Sequence, residues 1–223
     1  MRIFFFIVLF SVLFSKSSDK VAIVIKTDGE VMATFSGLNI KQALKTGSSL
    51  GNQDRVETGK NGFAAIVYLD DRTIIKILDD SDLTIFGDRN GNKINKALDI
   101  KYGKIAAGIA PQGGKEFRIA TPTSVASVKG TELAISSSAA DGDSFVLIEG
   151  LIEVTNLITG KTTEVKEGET VISTPEGSLE VTETIEEDLE GFELAEVEIS
   201  NQELIFELED DEGNIKEIII KFE

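Results

Sequence analysis

The chain has 223 residues, 41% hydrophobic and 27% charged, with 22 Lys and Arg against 39 Asp and Glu and a net charge of −17. It contains no Cys and no His, which excludes disulfides, thiolate metal sites, thiol nucleophiles, a lipid-modified N-terminal cysteine, and the commonest general base and transition-metal ligand. The acids are segregated: Glu176 to Glu223 holds 18 of them against Lys216 and Lys221, while the other 175 residues hold 21 acids and 20 bases, so phosphate is repelled and neither nucleic acid nor anionic lipid is an expected partner.

Arg2 is followed by an apolar run from Ile3 to Phe14 and then by Ser15-Lys16-Ser17-Ser18. A charged start, an apolar stretch and small polar residues form the pattern of a secretory signal, and the run is shorter than the roughly 20 residues of a spanning helix. Residues 1–17 are expected to be removed. The mature chain is then periplasmic or extracellular, with no stable membrane span.

From Val21 to Val171, short runs rich in Val, Ile, Thr and Phe are separated by Gly, Asp, Asn and Ser clusters, which predicts an all-β domain over 18–175. The expected strands, in chain order, are Val21–Lys26, Glu30–Phe35, Ala64–Leu69, Thr73–Ile77, Asp82–Phe86, Lys93–Tyr102, Lys104–Ile109, Glu116–Ala120, Ser124–Val128, Thr131–Ser136, Ser144–Ile148, Leu151–Asn156, Thr162–Val165 and Thr170–Ser173. Such strands build either a flattened two-sheet β-solenoid-like roll or a β-sandwich, both of which require the same alternation. Phe117, Ile119, Val125, Val128, Val146 and Ile148 are the expected core. Gly103, Gly150 and Gly168 are expected turn residues.

After Pro175 the pattern changes. Ile185, Leu189, Phe192 and Ala195 recur at helical spacing over Thr184–Val197, interrupted by Gly191, and Leu204, Phe206 and Leu208 then alternate as do Ile218, Ile220 and Phe222. The acidic segment 176–223 is therefore expected to be a small helix followed by a β-hairpin.

Thr121-Pro122 marks a strand end, since Pro fixes its backbone, lacks a donor and keeps its predecessor extended. Gly130 is expected at a corner closed to other residues, orienting Lys129 and Thr131. Thr121, Thr123, Ser124, Ser127 and Thr131 crowd hydroxyls together, but with no His or Cys to activate them they read as strand-end partners and not as nucleophiles. Asp79-Asp80-Ser81-Asp82 and Asp88-Arg89-Asn90-Gly91-Asn92 cluster oxygens of the kind calcium takes, but the spacing fits no EF-hand and they read as turns. No cofactor is expected, calcium being the one candidate these oxygens offer.

Asp54-Arg55-Val56 with Thr58-Gly59, Ala64 to Leu69 with Asp70-Asp71, Tyr102-Gly103-Lys104, Phe117 to Thr131 and Val146 to Val154 follow one another in an order that resembles the FecR domain family. The resemblance covers about Val24 to Ile172. Its signature positions are Thr121, Pro122, Val128, Lys129, Gly130, Thr131, Glu149 and Gly150, with Lys129 where the family usually has Arg, Leu133 where it has Phe and Asp71 where it has Gly. The resemblance implies a non-catalytic, protein-binding module outside the cytoplasm, with an envelope or secreted protein as partner. Relatives that regulate sigma factors carry a cytoplasmic helical segment and a membrane helix ahead of this domain, whereas the signal pattern stands there in this chain. A secreted structural or matrix protein with a cation-binding acidic segment is the alternative.

Overall fold

The structure is a computed structural model. It describes residues 20–37, 40–91, 93–192, 204–209 and 215–220, the last two ranges by backbone alone. The expected signal segment lies outside these residues.

The first strands are β1 (Lys20–Asp28), β2 (Val31–Phe35), β3 (Ile40–Ala43), β4 (Ser49–Gly51), β5 (Asp54–Thr58) and β6 (Phe63–Tyr68). Then come β7 (Ile74–Ile77), β8 (Asp82–Asn90), β9 (Lys93–Ile109), β10 (Phe117–Ala120), β11 (Ser124–Val128) and β12 (Thr131–Ser138). The body continues with β13 (Gly142–Glu149), β14 (Leu151–Asn156), β15 (Thr162–Lys166), β16 (Glu169–Ser173) and β17 (Leu179–Glu183), and β18 (Leu204–Glu209) and β19 (Ile215–Ile220) follow.

These strands form two open ladders. Ladder A runs β4-β1-β6-β7-β9-β12-β13-β16-β17 and is antiparallel throughout. Ladder B runs β3-β2-β5-β8-β9-β10-β11-β14-β15, and its β9–β10 pair is parallel. Strand β9 belongs to both: Lys93 to Tyr102 pairs with β8 in B, and Gly103 to Ile109 pairs with β12 in A. The chain therefore lays hairpins alternately in the two ladders, β10–β11 in B, β12–β13 in A, β14–β15 in B and β16–β17 in A. The body is thus all-β, built on an open sheet that does not close on itself.

The ladders face each other across one apolar core. Val24, Ile66, Ile75, Ile105, Leu133 and Phe145 from A meet Leu83, Ile85, Leu98, Phe117, Ile119 and Val154 from B. Tyr68 and Phe117 join the layers edge to face, with ring centroids 5.8 Å apart.

Three readings of the sequence change. Val125 is only half-buried and Ile148 is 42% exposed, while Val146 is buried against Leu78, Ala134 and Phe192 on the outer side of ladder A. The reason is the run Phe145-Val146-Leu147-Ile148, apolar at every position, whose phase alternation cannot set; Phe145 and Leu147 face the core. Strands β3, β4, β5 and β17 add to the expected set: β4 is three residues long, β3 is exposed throughout, and β5 and β17 carry charged residues. Gly103 lies inside β9 instead of in a loop.

Beyond Pro175, β17 extends ladder A through its pairing with β16. One 3-10 turn, Glu186–Leu189, follows, and Gly191 takes φ +83°. Residues 193–197, the rest of the expected helix, lie outside the described residues. The expected hairpin is present as β18 paired with β19.

Candidate functional site

The Thr121-Pro122-Thr123 link connects β10 to β11, and what holds it is a buried carboxylate. Asp143, at the start of β13, is 1% exposed. Its Oδ2 accepts hydrogen bonds from Thr121 Oγ1 at 2.5 Å, Ser124 Oγ at 2.9 Å, the Thr123 amide at 3.1 Å, and Thr123 Oγ1. Its other oxygen accepts from Ser137 Oγ at 2.7 Å. A buried carboxylate is tolerated only when its lone pairs are filled, and here hydroxyls and an amide fill them without a cation. Asn156 Nδ2 extends the network to Ser173 Oγ at 2.9 Å and the Thr174 carbonyl at 3.1 Å. Thr121, Thr123, Ser124 and Ser137 are each no more than 5% exposed, so this cluster is closed to substrate and acts as a support.

What it supports is a shallow pocket on the outer face of ladder B, lined by Arg55, Asp82, Thr84, Asp99, Ile100, Lys101, Thr121 and Pro122. Asp54 anchors the start of β5 by accepting from the Gly51 amide at 2.7 Å and the Ser36 amide at 2.8 Å. This turns Arg55 outward. Its guanidinium donates to both oxygens of Asp82, at 2.6 and 2.5 Å, and to Glu57 at 3.2 Å. The Asp82 hydrogen bonds raise the Arg55 pKa above its ordinary value although burial works against them. Lys101 Nζ stands 3.6 Å from Asp82. The pocket thus presents fixed charges of both signs beside an exposed proline.

The remaining signature residues form a separate corner. Gly130 has φ +155°, and a Cβ there would lie 3.1 Å from Pro111 Cα. A Cβ on Gly150, at φ +98°, would lie 2.7 Å from the Gly130 carbonyl oxygen and 2.8 Å from Thr131 Cγ2. The two glycine motifs therefore pack directly on one another, 20 residues apart in sequence. Val128 is in the core, Glu149 is exposed, and Thr131 Oγ1 is buried without a hydrogen-bond partner. The Lys129 side chain is 74% exposed and pairs loosely with Glu116 at 3.8 Å.

Two features went unread in the sequence. Asp143 was legible only as part of an Asp-Gly-Asp turn; the available signal was an acid entering an apolar strand in a chain rich in Thr and Ser. Lys96 is the other, in phase with Ile94, Leu98 and Ile100 on the buried side of β9. Its ammonium meets Asp70 at 2.8 Å and Asp71 at 2.7 Å, 5.6 Å from the Tyr68 ring centroid. Burial tends to raise the Asp71 carboxyl, but Lys96, Thr73 and Gln112 outweigh it and hold the pKa below its ordinary value. Burial, reinforced by the charges of Asp70 and Asp71, pushes the Tyr68 phenol far up. In the oxygen-rich loops, Asp82 is committed to Arg55, and among the described residues no three acids converge as a metal site.

Residues 54–153 match the sequence model of the family described as FecR protein. No curated protein matches the chain. Two crystal structures, at 2.50 and 1.65 Å, of a protein described as an anti-sigma factor from Parabacteroides distasonis ATCC 8503 are similar at 14% identity, with TM-scores of 0.49 and 0.48. In both, the match covers 58% of this chain and 59% of that one.

Proposed function

Because residues 54–153 match the sequence model of the FecR protein family, we propose that the chain is a non-catalytic regulatory module that binds another protein outside the cytoplasm, through the outer face of ladder B. The observation that carries this reading is the convergence of Arg55 and Thr121-Pro122, 66 residues apart, on one charged pocket whose backing hydroxyls are buried. Fixed charges of both signs on a rigid sheet orient a protein partner and reject mismatched ones. The export pattern of Arg2 and Ile3–Phe14 supports the location, and residues 18–175 are the binding body. No described helix is long and apolar enough to cross a membrane.

The test is co-purification from envelope extract with the exported chain. Wild type is expected to retain a defined protein partner, and the double reversal Asp99→Lys with Lys101→Glu to lose it without a change in Tm. Retention by the reversed variant, or turnover of any substrate by purified protein, overturns the reading.

A further inference from the structure

The outer face of ladder A is too apolar for a surface meeting water. Strand β6 is buried at all six positions. Ala64 and Ile66 supply the core, while Phe63, Ala65 and Val67 form a second cluster with Ile25, Ile23 and Ile74 on the far side, where Phe63, Ala65, Val67 and Ile25 are 3 to 7% exposed. The register carries this surface across the ladder: Ala65 lies opposite Lys76, Lys76 opposite Ala106, Ala106 opposite Ala134, and Ala134 opposite Val146. Three alanines, Ala65, Ala106 and Ala134, keep this line low, with Lys76 between the first two, and make it a trough.

The end of the trough at β9, β12 and β13 already has an occupant from this chain. Phe192 packs on Leu78, Ala134 and Val146, with Ala106 beside them. Lys104 secures it, donating from Nζ to the Glu190 carbonyl at 2.8 Å and lying 5.5 Å from the Phe192 ring centroid.

We propose that the hairpin β18–β19 occupies the rest of the trough and forms a third layer on ladder A. An isolated two-stranded hairpin is marginal in water and needs a surface to pack on. Its register pairs Leu204 with Ile220, Phe206 with Ile218 and Leu208 with Lys216, placing five apolar residues and no acid on one face of the ribbon. Reach is sufficient. Residues 193–203 separate Phe192 from Leu204, a span of up to about 36 Å when extended, whereas the four strand spacings from β12 to β1 come to about 19 Å. Charge agrees as well. Lys26 near the Phe63 ring, Lys76 and Lys104 lie on this face, and residues 204–220 carry six acids against one Lys.

Because the chain has no Cys, paired cysteines test this directly in the full chain. Ala65→Cys and Ala106→Cys are each combined with Phe206→Cys or Ile218→Cys, and with Ile205→Cys on the opposite ribbon face as control. The expected result is an intrachain disulfide in at least one Phe206 or Ile218 pair and in no Ile205 pair. Absence of any crosslink overturns the proposal, and crosslinks formed only between chains overturn it in favour of a second copy on this face. Hydrogen exchange on the unmodified chain is the second measurement: amides of 204–209 and 215–220 are expected to exchange many-fold slower than an unstructured peptide, and exchange at the unstructured rate overturns the proposal.

Discussion

Asp143 and Lys96 meet one physical demand in two ways. A charge removed from water must be given back what water supplied. Asp143 receives this from four hydroxyls and an amide, and Lys96 from two carboxylates. Asp143→Ala strands these donors in a closed site, where each unsatisfied group costs about 1–3 kcal/mol; the expected loss is about 3–5 kcal/mol by urea denaturation, with Asp143→Asn milder because one acceptor oxygen remains. Asp71 makes a different prediction. Its carboxyl is depressed in the fold, so it stays charged at pH values where the unfolded chain, at about 3.9, already binds a proton. The stability it contributes is complete above that unfolded value and is lost as pH falls through the lower folded one. Below about pH 4 the urea midpoint of wild type should therefore fall more steeply than that of Asp71→Asn.

At the scale of elements, β9 decides the architecture, and Gly103 decides β9. The strand passes from ladder B to ladder A where Gly103 takes φ +113°, and a Cβ there would lie 2.2 Å from Ser81 Oγ and 2.5 Å from Ser81 Cα. Ser81 is itself buried and accepts a hydrogen bond from the Lys104 amide at 3.0 Å, so it cannot withdraw without breaking the corner. Gly103→Ala is expected to cost about 3 kcal/mol, strain and clash together. Gly160→Ala, also at positive φ but with no atom within 4 Å of its Cβ, should cost only the left-handed penalty of about 1–2 kcal/mol. Comparable Tm losses in the two variants would refute the close-approach argument. Gly130→Val, against Pro111, belongs with the first kind, at about 1–3 kcal/mol.

At the scale of the whole molecule, the two ladders share one core and should unfold together. Phe117 is fully buried between them and meets Tyr68 edge to face, so Phe117→Ala is expected to lose about 3–5 kcal/mol. Calorimetry should still show one transition for residues 20–183. A separate transition for either ladder would show that the layers are independent.

The alternation of apolar residues along β8, β10 and β14 and the Gly and Asn turns were legible because period and turn chemistry are local. The all-β class and the strand end at Thr121-Pro122 followed from them. The phase of β13 was not, since an unbroken apolar run faces inward equally well either way until Phe192 covers one side. The pocket was not legible either, because Arg55 and Pro122 become neighbours only through the β5–β8–β9–β10 order of ladder B.

What the sequence by itself determined is the chemistry this protein lacks and the repertoire of its strands: without Cys or His, and with short apolar runs between turn residues, it makes a β body with an acidic end. What only the tertiary structure decided is which strands become neighbours. Strand pairing joins residues by long-range hydrogen bonds that no local pattern specifies, and those pairings put four hydroxyl-bearing side chains around Asp143, two acids on Lys96, and an apolar trough on the outside of ladder A.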